Sequence, residues 1–411
     1  MKSNPAPRIA SIDALRGIAI LAMLFVNDIA GVDGAPAWMK HISPSDADGM
    51  TFADIVFPAF LFIVGMSISL ALGRRIERRE SPGKIWKHIL FRTFSLLFIG
   101  VYMVNVESHA DPGILNPHVW ALLMYVGVIM AWNAPLRGRE QKKTAILAMK
   151  ISGALLLMIL VLLYRGNGAQ GLIQMRVPWW GILGLIGWAY LVGCSAYLPL
   201  RRQWPALIGV MTLLYGVYMV IEVVFYGVLW ITPWSNFGII LCSHGAIVIS
   251  GVILGIIIMP DTSLKTHNQR MRWGLFYGLG LASAAFLLHS FDDIHRIFTI
   301  NKNLATPSWG LWCSAIMVWC WLVVYWLIDV KGWKGWAVVL KPAGRNALFA
   351  YILAPLIYSI FSLLEATPRG SGFYSRLGSG YSSGLWRSLV FAFAVTWLTG
   401  GLSRIGIKLK L

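Results

Sequence analysis

The sequence predicts an all-α polytopic membrane protein with about twelve (11 to 12) transmembrane helices and both termini in the cytoplasm. Its 411 residues are 57% hydrophobic and 13% charged, with a mean hydropathy of +0.68. These values are too apolar for a soluble domain of this length. Apolar stretches long enough to cross a hydrocarbon core of roughly 30 Å recur from end to end. Basic residues concentrate in alternate loops, and this distribution predicts which loops face the cytoplasm.

Twelve apolar stretches are the predicted spans. They cover residues 12–29, 51–72, 88–106, 118–134, 144–163, 177–198, 205–226, 236–259, 272–290, 307–328, 343–364 and 386–404. The longest segments between them, 30–50, 290–306 and 365–385, are too short for a soluble domain. The sequence therefore predicts that residues 1–411 form a single transmembrane domain.

The distribution of Lys and Arg orients these spans. The two termini and the loops on one side hold 24 of the 35 basic residues. The other loops hold eight: Lys40, Arg165, Arg176, Arg296, Lys302, Arg369, Arg376 and Arg387. Cytoplasmic loops carry the excess of positive charge, so both termini are predicted to be cytoplasmic. The net charge of +18 is dispersed near the membrane rather than gathered in one patch, and we expect no nucleic-acid partner.

The first span has an alternative interpretation as a secretory signal. Lys2 and Arg8 precede an apolar run, and the small residues at 35–37 imitate a cleavage site. Polar residues interrupt this run near both of its ends, and losing it would leave an odd number of spans. A retained first helix is therefore favoured.

Two polar residues stand at the cytoplasmic mouth of the first span. An ionisable group within a span costs on the order of 2.5 to 3.5 kcal/mol on insertion scales, so each needs a partner or a function. Asp13 and Arg16 lie one helical turn apart. They form either an ion pair that seats the helix end or an arginine held for an anionic ligand from the cytoplasm.

The opposite end of the first two spans is also polar. Asn27 ends the first span, His41 follows in the loop, and Asp54 lies one turn into the second span. Asn27 and Asp54 either cap helices or serve a site, and a single loop histidine is usually a surface residue. Pro58 frees a carbonyl near Asp54, which would then orient a histidine or hold a cationic substrate.

A third polar cluster lies in the loop "HSFDDIHRIFTINKNLATPSWG". Its acidic and amide side chains suit an amino sugar, and we assign substrate binding to Asp292, Asp293, Asn301 and Asn303. The set Asp292, Asp293 and His295 matches no strong metal-ligand spacing. The four cysteines all fall within predicted spans and form no metal knuckle, so no metal is expected.

Two blocks of the sequence resemble a known enzyme family. They are "SIDALRGIAILAMLFVND" and "WMKHISPSDADGMTFADIVFPAFLFIVGMSI", and they are similar to the heparan-α-glucosaminide N-acetyltransferases, a family with a lysosomal enzyme and bacterial homologues. The segments "INKNLATPSWGL" and "GRNALFAYI" extend the similarity to about a quarter of the chain. The longer loop before His41, and Ala305 in place of the family's usual tryptophan, are departures that bear on the acceptor.

The resemblance implies an activity and a set of site residues. It implies transfer of an acetyl group from cytoplasmic acetyl-CoA to an extracytoplasmic, glucosamine-type amino sugar, by a protein of the bacterial inner membrane that is able to form a homodimer. His41 matches the family's proposed catalytic histidine and Asn27 its asparagine, and Asp54 joins them. His41 would take the proton of the attacking amine or hydroxyl, and Asn27 would donate to the developing oxyanion.

The donor site is predicted at the cytoplasmic face. Binding of coenzyme A is assigned to Arg16, Asp13, Arg74, Arg75 and Asn346. The arginines are placed to receive its phosphates, and Asp13 orients Arg16. The long pantetheine arm would carry the thioester towards His41. Transfer through an acetyl-histidine and direct transfer both stay open.

Two other functions compete with N-acetylation. An O-acetyltransferase of a surface glycan shares the first block loosely. A sugar or proton-coupled transporter explains the polar groups in the membrane, but not the cytoplasmic arginines together with His41.

Overall fold

The chain folds almost entirely into α-helices, as the sequence predicts. The structure is a computed structural model that describes residues 10–107, 115–134, 143–168, 171–177, 181–224, 237–259, 262–365, 372–409 and 411. The helices are α1 (Ala10–Ile29), α2 (Phe52–Glu77), α3 (Pro82–Glu107), α4 (Pro117–Trp132), α5 (Lys143–Leu163), α6 (Ile182–Leu200), α7 (Trp204–Val224), α8 (His244–Ile258), α9 (His267–His289), α10 (Pro307–Tyr325), α11 (Lys341–Arg345), α12 (Ala347–Glu365), α13 (Phe373–Arg376) and α14 (Tyr381–Ile405).

Short irregular elements interrupt this helical pattern. The strands β1 (Gly166–Gly168) and β2 (Gly171–Ile173) form an antiparallel pair between α5 and α6. A π-helical turn, Gly238–Ser243, leads directly into α8, and a second one, Trp326–Val330, follows α10. The first of these turns reaches the candidate site described below.

The number of spans agrees with the predicted 11 to 12. Within the described residues, eleven helices are long and apolar enough to cross a membrane. The apolar helix α4 has 16 residues and is shorter than the others. Several helices begin earlier than the hydropathy pattern predicts, because amphipathic and basic residues extend α3 and α9 beyond their apolar part. Residues 178–180, 225–226 and 236 of the predicted spans lie outside the described residues.

The beginning of α1 and the end of α14 lie at the same end of the bundle. Arg16 donates to the carbonyl of Gly344 at 3.2 Å, and the Asn346 amide donates to Ser403 Oγ at 3.1 Å. This arrangement requires an even number of crossings between the two helix ends, which the eleven long helices give when the shorter α4 also crosses. Which side of the membrane this is stays a prediction.

Two apolar clusters form the core, and α1 contributes to both. In one, α2 and α8 pack against each other and against α6, α7, α9 and α10. The other combines side chains of α1, α3, α4, α5, α12 and α14, in which α1 packs against α12 and α14 and α4 against α5. The candidate site lies where α1 and α2 meet.

The contact between α2 and α8 depends on glycine. A Cβ atom at Gly251 of α8 would overlap the carbonyl oxygen of Phe62, and one at Gly65 of α2 would overlap the carbonyl oxygen of Val248. Gly251 and Gly255 have the four-residue spacing that lets helix backbones approach closely in membranes. This contact fixes the position of α8 against the site.

We expect Gly251→Leu to lower the thermal stability of the purified protein strongly. The added side chain meets backbone atoms that cannot move away, and overpacking costs about 1 to 3 kcal/mol or more. Gly209→Leu is the matched control, because nothing lies within 4 Å of a Cβ built at that glycine. Equal melting temperatures for the two variants in detergent would contradict the close contact.

Candidate functional site

His41 and Asp54 form a hydrogen-bonded pair at one end of α1 and α2, which we call the histidine end. His41 Nδ1 lies 2.8 Å from Asp54 Oδ1. The Asp54 side chain is 1% exposed, whereas that of His41 is 53% exposed. A buried carboxylate thus holds an accessible imidazole. With Nδ1–H donating to Asp54, Nε2 carries the lone pair of the imidazole, and Lys302 Nζ lies 3.4 Å from it.

The second oxygen of Asp54 holds the loop that carries His41. Asp54 Oδ2 accepts from the amides of Ile42 at 3.1 Å and Thr51 at 3.0 Å, and from the Thr51 hydroxyl. Asp54 therefore serves two of the roles considered from sequence. It belongs to the capping box that begins α2, and it orients a histidine.

Lys302 lies beside the pair, although 261 positions separate it from His41. Its Nζ is 3.6 Å from Asp54 Oδ1 and 3.0 Å from His41 Nδ1. Burial lowers the pKa of Lys302 from its usual value, and the carboxylate of Asp54 opposes part of this shift. A Lys302 cation would stabilise the anionic form of Asp54.

Two predicted substrate residues fasten the His41 loop to the segment before α10. Asn301 is fully buried, and its amide donates to the carbonyls of Ser45 and Ala47 at 3.0 Å. Asn303 donates to the Ser45 carbonyl at 2.8 Å and also borders a cavity next to His41. The bonds of Asn301 place it in the support of the loop, and Asn303 stands at the site itself.

Asp292 and Asp293 lie outside the cavities described below. Asp292 Oδ1 accepts from the backbone amide of Asp293, and its Oδ2 lies 3.6 Å from His289 Nε2. His289 in turn bonds Asp48 at 2.7 Å, which again ties the His41 loop down. Asp48, His289 and Asp292 have ligand atoms within 4.8 Å of one another, a different set from the one considered from sequence, and His289 contacts both carboxylates.

Two cavities meet at the histidine end. The first, of about 500 Å³, is bordered by Asn27, His41, Lys302 and Asn303 and by apolar side chains of α1, α2 and α6. The second, of about 610 Å³, is bordered by Asn27 and His41 and by side chains of α3, α4 and α12. Asn27 and His41 thus border both cavities.

A third cavity, of about 420 Å³, opens at the opposite end of α1 and α2, which we call the arginine end. Its polar border contains Asp13, Arg16, Ser67, Arg74, Arg92, Arg345 and Asn346. Four of the five predicted donor residues therefore come together. Arg75 does not border this cavity, because its guanidinium turns to Glu80 at 2.6 Å.

Arg16 is held by one neighbour in sequence and by groups far from it in sequence. Its Nη1 lies 3.4 Å from Asp13 Oδ1, and its Nη2 donates to Ser67 Oγ of α2 at 2.6 Å. The predicted ion pair is present, and the same guanidinium borders the cavity. Arg92 and Arg345 were missed, because α3 and α11 reach the cavity only through tertiary packing.

Phe60 of α2 borders both the arginine-end cavity and the first histidine-end cavity. Ala53 borders the histidine-end cavity and Ser67 borders the arginine-end cavity, and each lies seven residues from Phe60, which is nearly two full turns and about 10 Å of helix rise. The two ends of the site are thus linked along one face of α2.

Asp28, next to Asn27, is the centre of a buried network. Its carboxylate accepts from Tyr358 at 2.7 Å, Tyr374 at 2.6 Å and Ser388 at 2.6 Å, and Arg387 pairs with it at 3.2 Å. Every bond reaches α12, α13 or α14, so the network fixes the end of α1 that carries Asn27.

Comparisons with known proteins find a family and two partial relatives. Residues 8–225 match the family described as "Domain of unknown function (DUF5009)". Heparan-alpha-glucosaminide N-acetyltransferase of Homo sapiens is 37% identical over 124 residues, which are 30% of this chain and 17% of the relative. The Mus musculus protein of the same name is 36% identical over 129 residues, 31% of this chain and 18% of the relative.

The similarity to these relatives is partial. The matched part spans less than a fifth of the length of either protein. It confirms the relationship suspected from the sequence blocks, and it leaves the activity of this chain to be argued from the site.

Proposed function

The chain belongs to the DUF5009 family, whose description names no activity, and we propose that it is a transmembrane acetyltransferase that moves an acetyl group from acetyl-CoA to an amino sugar. The observation that carries this proposal is the pair of sites at the two ends of α2. A carboxylate–histidine pair stands at one end and an arginine-lined cavity at the other. The name of the partial relatives supports the same reaction.

The arginine end suits the nucleotide of acetyl-CoA. Guanidinium groups bind phosphate through paired, charge-assisted hydrogen bonds. Arg16, Arg74, Arg92 and Arg345 border the cavity, and Asn346 adds an amide. The acidic Asp13 does not bind the phosphates. It lies beside Arg16 and orients the guanidinium group.

The thin pantetheine arm suits the apolar space between the two ends. Side chains such as Val56, Phe57 and Phe60 border it, and Phe60 borders the arginine-end cavity as well. A donor bound in this way places its phosphates at the arginine end and its thioester beside His41. Binding the remote nucleotide then positions the reacting carbonyl.

His41 and Asn27 supply the chemistry of the transfer. The amine nitrogen attacks the acetyl carbon, and His41 Nε2 takes a proton from the amine. Asn27 donates a hydrogen bond to the oxygen that becomes negative. When the carbon–sulfur bond breaks, the coenzyme A thiolate leaves and receives that proton. Asp54 keeps the imidazole in the required tautomer and stabilises it while it is protonated.

The test is an assay in liposomes with labelled acetyl-CoA and glucosamine. Label in N-acetylglucosamine is the expected result. Uptake of the sugar without acetylation would favour a transporter and overturn the proposal. Label on the protein itself in the absence of sugar would indicate an acetyl-histidine, and its absence would indicate direct transfer.

A second candidate, O-acetylation of a surface glycan, is favoured by Lys302. Its ammonium group beside His41 repels a protonated amine and tolerates a neutral hydroxyl. Label that appears only in hydroxyl esters when a mixed glycan is offered would support this candidate against the first.

We propose that the histidine end faces the extracytoplasmic side, in accordance with the distribution of basic residues. A cysteine introduced by His41→Cys should then react with an impermeant thiol reagent added outside intact cells, since the native side chain is half exposed. Unsubstituted protein gives the background of the four native cysteines. Labelling only after the cytoplasmic side is opened would reverse the orientation.

Arg16→Ala should weaken acetyl-CoA binding by about 1.5 to 3 kcal/mol, through loss of a charge-assisted phosphate contact. Calorimetry on the folded protein measures this change. Arg75→Ala is the matched comparison, because Arg75 pairs with Glu80, and it should change the affinity much less. Equal affinities for the two variants would reduce Arg16 to a structural ion pair.

A further inference from the structure

His244 is a buried polar residue in the cavity next to His41. The π-helical turn Gly238–Ser243 ends directly before it, and Ile239 and Ile240 of that turn border the same cavity. The residue is 3% exposed. Its Nδ1 has no hydrogen-bond partner among the described residues. Such π-helical turns occur frequently at functional sites.

The protein around His244 offers it aromatic neighbours. The ring of Phe57 meets it edge-on with 5.3 Å between centroids, and that of Trp309 lies at 6.4 Å. An unpaired polar atom in such surroundings costs free energy. A bound molecule that supplies a hydrogen bond in the cavity would remove this cost.

The depth of His244 follows from its contact with Phe57. Phe57 lies three residues after Asp54, so it is about 4.5 Å further along α2 towards Phe60 and the arginine end. His244 therefore lies level with the first turn of α2, within about one turn of the His41–Asp54 pair.

Acetyl-CoA carries a polar group whose distance from the thioester is similar to the distance between His41 and His244 along the cavity. The amide of the pantetheine arm nearest the sulfur is separated from it by two methylene groups, about 4 Å when extended. With the thioester beside His41, this amide reaches the depth of His244. An amide in an apolar space needs a hydrogen-bond partner, and imidazole offers both a donor and an acceptor.

We propose that His244 binds acetyl-CoA by hydrogen bonding to the pantetheine amide nearest the thioester. This inference rests on the proposed function and adds a donor-binding residue to it. The bond would fix how far the arm extends and so place the acetyl carbon against His41.

The experiment compares acetyl-CoA with an analogue in which two methylene groups replace that amide. Binding is measured on the folded full-length protein, with wild type, His244→Phe and His244→Gln. Wild type should prefer acetyl-CoA by about tenfold, which corresponds to about 1.4 kcal/mol. His244→Phe should bind acetyl-CoA about tenfold more weakly and show no preference. The glutamine in His244→Gln can donate and accept hydrogen bonds, so this variant should retain most of the wild-type preference for acetyl-CoA over the analogue.

Trp309→Phe is the matched control. Trp309 is equally buried, and its Nε1 also has no partner among the described residues, but it does not border the cavity. It should leave the preference unchanged. If His244→Phe does not fold, His244→Met makes the same comparison.

A preference that survives in His244→Phe or His244→Met would overturn the role of His244. The proposed function would then still stand, because it requires that wild type bind acetyl-CoA in this experiment and transfer its acetyl group in the liposome assay, and neither result depends on His244. A wild-type protein that neither binds nor consumes acetyl-CoA would overturn both.

Discussion

His41→Ala is expected to lower the rate of acetyl transfer by about 10²- to 10⁴-fold, the usual contribution of a general base. Acetyl-CoA binding should be retained, because we assign its phosphates to the arginine end, which lies at the opposite end of α2 from His41. Single-turnover rates and calorimetry on the same preparation measure the two quantities separately. The combination of lost turnover and retained binding is the result that identifies a base.

His295→Ala is the control for this variant. His295 is a loop histidine at the same end, and its Nδ1 accepts from the amide of Ile297 at 3.1 Å, away from the cavities. It should retain turnover. Near-normal turnover in His41→Ala would remove the assignment and make Asp54 the next base to test. A parallel fall in binding would point to a structural role.

Asp54→Asn is expected to lower turnover by about 10²- to 10⁴-fold with little change in acetyl-CoA affinity. An amide in place of the carboxylate can donate to His41 Nδ1, which leaves the proton on Nε2, the nitrogen that must act as the base. The corresponding change in a Ser-His-Asp triad costs about 10⁴-fold for this reason. The loss of the carboxylate also removes the partner of Lys302 at 3.6 Å.

Asp48→Asn separates this effect from general loosening of the loop. Asp48 lies in the same loop and accepts from the amide of Ile300 at 2.7 Å, and it does not border the cavities. It should affect melting temperature more than turnover. If both variants lose turnover equally, loop rigidity rather than the tautomer of His41 explains the effect of Asp54.

Local patterns in the sequence were sufficient for several features. A helix that crosses lipid must satisfy its backbone internally and present apolar side chains, so length and hydropathy predict it without tertiary information. Asp13 and Arg16 meet because three residues make almost one helical turn. Their pairing, the helical class and the number of spans were predicted correctly for this reason.

The candidate site was predictable where its members are near in sequence. His41 and Asp54 lie 13 positions apart, and the possibility that Asp54 orients a histidine was raised from sequence. Asn301 carried an ambiguous signal, because an amide in a polar loop suits a sugar and a backbone carbonyl equally well. Only the folded loop shows that it donates to Ser45 and Ala47.

What the sequence by itself determined is the class of protein, its helices and the local polar pairs, because these depend on periodicity and on neighbours within a turn. The tertiary structure decided which distant side chains share a space. Lys302 reaches His41, Arg345 joins Arg16, and His244 faces the cavity through the packing of whole helices. Helix packing brings together residues hundreds of positions apart, and no local pattern encodes that proximity.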